Sequence, residues 1–127
     1  MRPQKVLVKN FLLVHTCGHV EAEKIWRTPM LEKEIEARLV RKVKELGGIA
    51  YKFVSPAHRG VADRIVVLPH GNVVFVELKT ATGKLSPLQE VFARDMERLG
   101  QNYIVLKSRE EVDAFIRAAP AGHHRRA

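Results

Sequence analysis

GVADRIVVLPHGNVVFVELK, residues Gly60 to Lys79, is the stretch whose reading decides the fold. It reads as two β-strands around a tight turn, the first opening with Asp63 and the second closing with Glu77-Leu78-Lys79. Side chains alternate along a strand, so Glu77 and Lys79 share one face and Leu78 takes the other. A carboxylate and an amine thus stand side by side at the end of the apolar run Val73–Val76, where charge is normally avoided. The turn decides whether Asp63 joins them. A three-residue loop, Pro69-His70-Gly71, lets Gly71 take the left-handed position that such loops need. Leu68 then faces Asn72, and counting back sets Asp63 directly opposite Glu77. Two facing carboxylates repel unless a cation sits between them, and a divalent metal with oxygen ligands is the natural occupant. A loop one residue longer or shorter would turn Asp63 to the wrong face.

The rest of the chain builds a body for that hairpin. At 127 residues and 46% apolar content the chain is long enough for one domain with a real core. From Leu31 to Leu46 the apolar residues Leu31, Ile35, Leu39, Val43 and Leu46 recur at helical spacing, with Gly47-Gly48 as the stop. Thr28 and Pro29 read as N-cap and first helical residue. Glu36 borders the buried stripe, where a boundary glutamate paired with a nearby arginine is one reading of it. Ile49 to Val54 reads as a strand, with Lys52 pointing inward if its Ala50/Val54 face is the buried one. Beyond the loop Thr80–Lys84, Ser86-Pro87-Leu88-Gln89 has the form of a capping box, with Gln89 in the reciprocal position. Leu88, Val91, Phe92, Met96 and Leu99 then form the apolar face of a second helix. Tyr103–Leu106 is a final strand, and Ser108 to Glu111 opens a last helix with Val112, Phe115 and Ile116 inward. The order α-β-β-β-α-β-α predicts a small mixed sheet flanked by helices, of α/β or α+β class. The crossover from the Glu77 strand to the Tyr103 strand is long enough to make those two parallel.

Charge and cysteine content narrow the function. The net charge is +8, and the ends carry most of it. Residues 1–29 hold 5 basic against 2 acidic residues, and residues 117–127 hold 3 against none. Basic ends favour a polyanion such as nucleic acid. A lone cysteine, Cys17, excludes an internal disulfide framework and fits a reducing, cytoplasmic setting. The apolar run Val6–Val14 is interrupted by Lys9 and Asn10 and is too short to span a membrane. Cys17 and His19 do not make a zinc ligand set with usual spacing. No serine sits in a strand-to-helix elbow, and there is no glycine-rich phosphate loop. Residues 1–29 read as an added hairpin or dimerisation arm, residues 30–117 as the domain, and residues 118–127 as a basic tail.

Asp63, Glu77 and Lys79 suit phosphodiester hydrolysis. A metal on two carboxylates can polarise a phosphoryl group and activate water, and a neighbouring lysine can orient that water or offset developing charge. The spacing of Asp63 from Glu77-Leu78-Lys79 resembles the D…E-x-K signature of the PD-(D/E)XK nucleases. With Ala50–Pro56, Arg59–Arg64, Phe75–Lys79 and Leu85–Gln89, the text of residues 31–116 resembles the VRR-NUC family within that group, especially its small stand-alone viral and bacterial members. The resemblance implies a restriction-endonuclease-like fold and an endonuclease dependent on Mg²⁺ or Mn²⁺. Stand-alone members of this kind act as homodimers on branched DNA such as four-way junctions, inside a phage-infected or bacterial cell. Carried over, it makes Asp63 and Glu77 metal ligands with the Leu78 carbonyl, and Lys79 the catalytic lysine. Glu36 and Gln89 become members of the site, and Lys52 falls in a family motif. Ala62 departs from the family's proline before the aspartate, which loosens the loop but keeps the carboxylate. Two other readings stand beside this one: a flap or single-strand nickase, and a non-catalytic DNA-binding subunit that keeps the fold.

Overall fold

Residues 30–119 are described by the computed structural model. They form α1 (Glu32–Glu45), β1 (Ile49–Lys52), β2 (Arg64–Leu68), β3 (Asn72–Leu78), α2 (Pro87–Arg98), β4 (Tyr103–Leu106) and α3 (Arg109–Ala118). The sheet order is β1-β2-β3-β4. The first two pairings are antiparallel and β3 pairs with β4 in parallel. The expected class, element order and parallel crossover are all present.

The hairpin closes in the register that its turn composition predicts. Leu68 pairs with Asn72 and Arg64 with Val76, so Asp63, one residue before β2, falls opposite Glu77. Gly71 takes the left-handed conformation at φ 76°, and His70 beside it does the same at φ 69°. Positive φ is uncommon outside glycine, though histidine is among the residues that enter it most readily, so the turn holds a second left-handed position that composition did not announce.

One face of the sheet carries the main core. Ile35, Leu39 and Val43 of α1 are fully buried against Val66, Val74, Val76, Leu78 and Leu106, and α3 adds Val112 and Phe115. Burying each of these α1 side chains contributes about 2 kcal/mol. Arg38 clasps Asp113 of α3 with two hydrogen bonds of 2.9 and 3.0 Å, fixing the two helices side by side. On the other face, Phe92 of α2 packs against Phe53, Phe75 and Tyr103, with ring centroids 5.8–6.3 Å away.

Several local expectations are corrected. α1 starts at Glu32 with Leu31 as N-cap, its N–H bonded to the Glu34 carboxylate at 3.1 Å. The expected start at Thr28-Pro29 lies outside the described residues, as do the segments 1–29 and 120–127. β1 ends at Lys52 rather than Val54: among the described residues Val54 pairs with no strand, and it stands in solvent. On α2 only Phe92 and Met96 of the expected apolar face turn toward the sheet, while Leu88, Val91 and Leu99 are exposed. Among the described residues, no helix is long and apolar enough to cross a membrane.

Candidate active site

The site lies where the sheet's polar end meets the starts of α1 and α2. Glu77 sits in the middle of it, 1% exposed. Burying a carboxylate is costly, so its partners matter. Its Oε2 accepts a hydrogen bond from Gln89 Nε2 at 2.8 Å and faces Lys79 Nζ at 3.7 Å. Its Oε1 is buried with no protein partner among the described residues. Burial, and then the charge of Asp63, push the Glu77 carboxyl up to about 8, against the pull of Lys79. In the metal-free site the Glu77 carboxyl therefore holds its proton more tightly than an ordinary carboxyl does, and a cation could replace that proton.

Asp63 is aimed by the backbone. Its Oδ2 accepts from the Leu78 N–H at 2.8 Å, across the frayed end of the β2–β3 ladder. Ala62 before it is buried, 1% exposed. Asp63, Glu77 and Glu32 of α1 each offer a carboxylate oxygen within 4.8 Å of the other two. Three carboxylates that close, one with an unpartnered buried oxygen, have the donor set of a hard divalent cation. The residues present fit the metal that the sequence reading expected.

Glu32 is the member that sequence reasoning did not single out. It lies one helical turn before Glu36 and so on the same side of α1, which is the signal that could have found it. Glu36 lines the same cleft with Leu31, Glu32, Lys33 and Asp63. Its Oε2, however, accepts from Arg64 Nε at 2.7 Å and from Lys52 Nζ at 3.4 Å. Burial acts to raise the Glu36 carboxyl, but the two cations outweigh it and hold it below the ordinary value. Arg64 also donates to the Ala50 carbonyl at 2.9 Å, so this cluster ties α1 to β1 beside Asp63. Lys52 shares the α1 face with buried Ala50, yet its side chain is 60% exposed and only its tip reaches Glu36.

Gln89 does two jobs with one amide. Its side-chain oxygen accepts from the Ser86 N–H at 2.9 Å, and the Gln89 backbone N–H donates to Ser86 Oγ at 3.2 Å, completing the capping box. The amide nitrogen remains free to donate to Glu77. The N-terminus of α2 is thereby locked to the site. Close backbone approach holds the neighbouring loop there as well, since a Cβ on Gly60 would lie 2.6 Å from the Leu88 carbonyl.

No protein-family model matches the sequence. Over 79 residues the chain is 48% identical to the "Putative nuclease p44" of Acyrthosiphon pisum secondary endosymbiont phage 1, covering 62% of this chain and 85% of that protein. A solved structure described as a VRR_NUC domain superposes with a TM-score of 0.65 at 29% identity, covering 68% of this chain and 94% of that one. The chain belongs to the VRR-NUC family. The VRR-NUC fold accounts for the order of elements. About a third of this chain is additional to the VRR-NUC domain it matches.

Proposed function

We propose that this protein is an Mg²⁺- or Mn²⁺-dependent DNA endonuclease that acts as a homodimer on branched DNA, four-way junctions among them. The observation that carries the reading is the buried Glu77 carboxylate, whose unpartnered oxygen stands beside Asp63 and Glu32 with Lys79 next to it. Asp63, Glu77 and Glu32, with the Leu78 carbonyl, would hold the ion, which supplies charge neutralisation at the phosphate and an activated water. Lys79, half-buried and next to Glu77, orients the attacking water or offsets charge developing on the phosphoryl oxygens. Gln89 holds the Glu77 carboxylate in place. Glu36, engaged by Arg64 and Lys52, sets the angle of α1 and so the position of Glu32; its part in catalysis is indirect.

The basic ends of the chain support DNA as the polyanion, with residues 30–117 as the catalytic body and residues 118–127 as a basic tail. The single cysteine supports a cytoplasmic setting. A homodimer follows from junction cleavage, because cutting two strands in a concerted way needs two sites related by symmetry. The test is a cleavage panel of linear duplex, flap, splayed and four-way-junction DNA with each metal, run with the solution mass measured alongside. The expected result is junction cleavage by a dimer, abolished by Asp63→Ala and lowered about 100- to 1,000-fold by Lys79→Ala. Cleavage confined to flaps or single nicks would replace the junction assignment. DNA binding that survives chelation, with no cutting of any substrate, would overturn the enzyme reading.

A further inference from the structure

The α2-side face of the sheet is built in cross-strand rows. Phe53, Asp63 and Glu77 lie at the site end, and Tyr51, Ile65, Phe75 and Tyr103 come next. The last row, at the turn end, is Ile49, Val67 and Val73, paired strand to strand. Phe92 of α2 packs on Phe53, Phe75 and Tyr103 of the first two rows, and among the described residues nothing of α2 reaches the exposed turn end or Tyr51. Ile49 is 53% exposed, Val67 37%, Val73 41% and Tyr51 53%. β1 is also an edge strand, paired only with β2 among the described residues. Branched side chains on a flat face beside an open edge are a pairing liability that folded proteins usually cover.

We propose that residues 6–14 of the same chain occupy this face, packing on Ile49, Tyr51, Val67 and Val73. Seven of those nine positions are apolar: Val6, Leu7, Val8, Phe11, Leu12, Leu13 and Val14. They meet a surface of the same character at the high effective concentration that tethering provides. The tether reaches. Leu31, at the start of α1, lies on the cleft with Asp63 at the opposite end of the sheet. Residues 15–30 can span about 50 Å when extended, whereas a five-residue strand covers about 17 Å and the sheet-to-helix layer about 10 Å. This inference concerns a surface away from the carboxylates and does not depend on the nuclease reading.

The native cysteine makes the test possible in the full-length chain. Cys17 lies three residues beyond Val14 and can carry a nitroxide spin label without any substitution. The amide signals of Ile49, Tyr51, Val67 and Val73 in ¹⁵N-labelled protein should then be selectively lost and return when the label is reduced. In a Leu7→Asp/Leu12→Asp variant the loss should disappear while the α1 core signals keep their positions. If the signals broaden only on mixing ¹⁵N protein with separately labelled ¹⁴N protein, a second copy is the occupant and the proposal is wrong. Absence of broadening in both samples overturns it equally.

Discussion

At the scale of single residues, Glu77 has the strongest consequences. Its folded value, about 8, lies well above the ordinary 4.5. The folded metal-free chain therefore binds this proton more tightly than the unfolded chain does. The associated stability is complete below about pH 4.5 and is lost as pH rises toward 8, by at most about 1.4 kcal/mol per pH unit. Burial pushes the Glu111 carboxyl in the same direction. Glu36 and Asp113 are held low and act only in acid. Melting curves in a chelator should show Tm falling from pH 5 to pH 8, and Glu77→Gln should flatten most of that slope. Lys79→Ala is expected to lower the cleavage rate by about 100- to 1,000-fold with the melting temperature nearly unchanged. The two α1 glutamates separate by their readouts. Glu32→Gln should weaken metal binding measured by calorimetry without DNA, whereas Glu36→Gln should chiefly lower stability, because it leaves the half-buried Arg64 without its closest anion. Equal metal affinity in both variants would remove Glu32 from the ligand set.

At the scale of elements, the hairpin and the start of α2 do most to shape the site. The hairpin was legible from residues 60–79 because a pleated strand has a period of two, and a three-residue loop with glycine in its last position admits one register. The capping box at Ser86–Gln89 was legible for a similarly local reason. Local information could not say that the same Gln89 amide also reaches Glu77. Ser86→Ala, which removes only the cap acceptor, should cost about 1 kcal/mol in denaturant unfolding. Gln89→Ala removes half of the box and a bond to a carboxylate, and should cost about 2 kcal/mol or more. The apolar face of α2 was only half right because periodicity reveals a stripe but not its width. The partner decides the width, and here three aromatic rings, Phe53, Phe75 and Tyr103, take up Phe92 and leave Leu88, Val91 and Leu99 outside.

At the scale of the whole molecule, the acidic cleft joins α1 to the β2–β3 hairpin, about thirty residues further along the chain. An ion bridging them binds the folded state alone, so Mg²⁺ or Mn²⁺ at 100 times its Kd should stabilise the protein by about 2.7 kcal/mol, and chelation should reverse the gain. Differential scanning calorimetry with and without chelator checks this. What the chain determined by itself was the order of elements, the parallel crossover and the face shared by Asp63, Glu77 and Lys79. These follow from side-chain period, turn length and capping chemistry, all of which act over a few residues. Tertiary packing decided which α1 glutamate meets Asp63 and Glu77, since Glu32 and Glu36 lie on one side of the helix and only its crossing over the sheet chooses between them. Packing also decided that Glu77 is buried with one oxygen unpartnered, and that the described residues leave Ile49, Val67 and Val73 at the turn end exposed. Burial and coverage depend on surfaces brought together from distant parts of the chain.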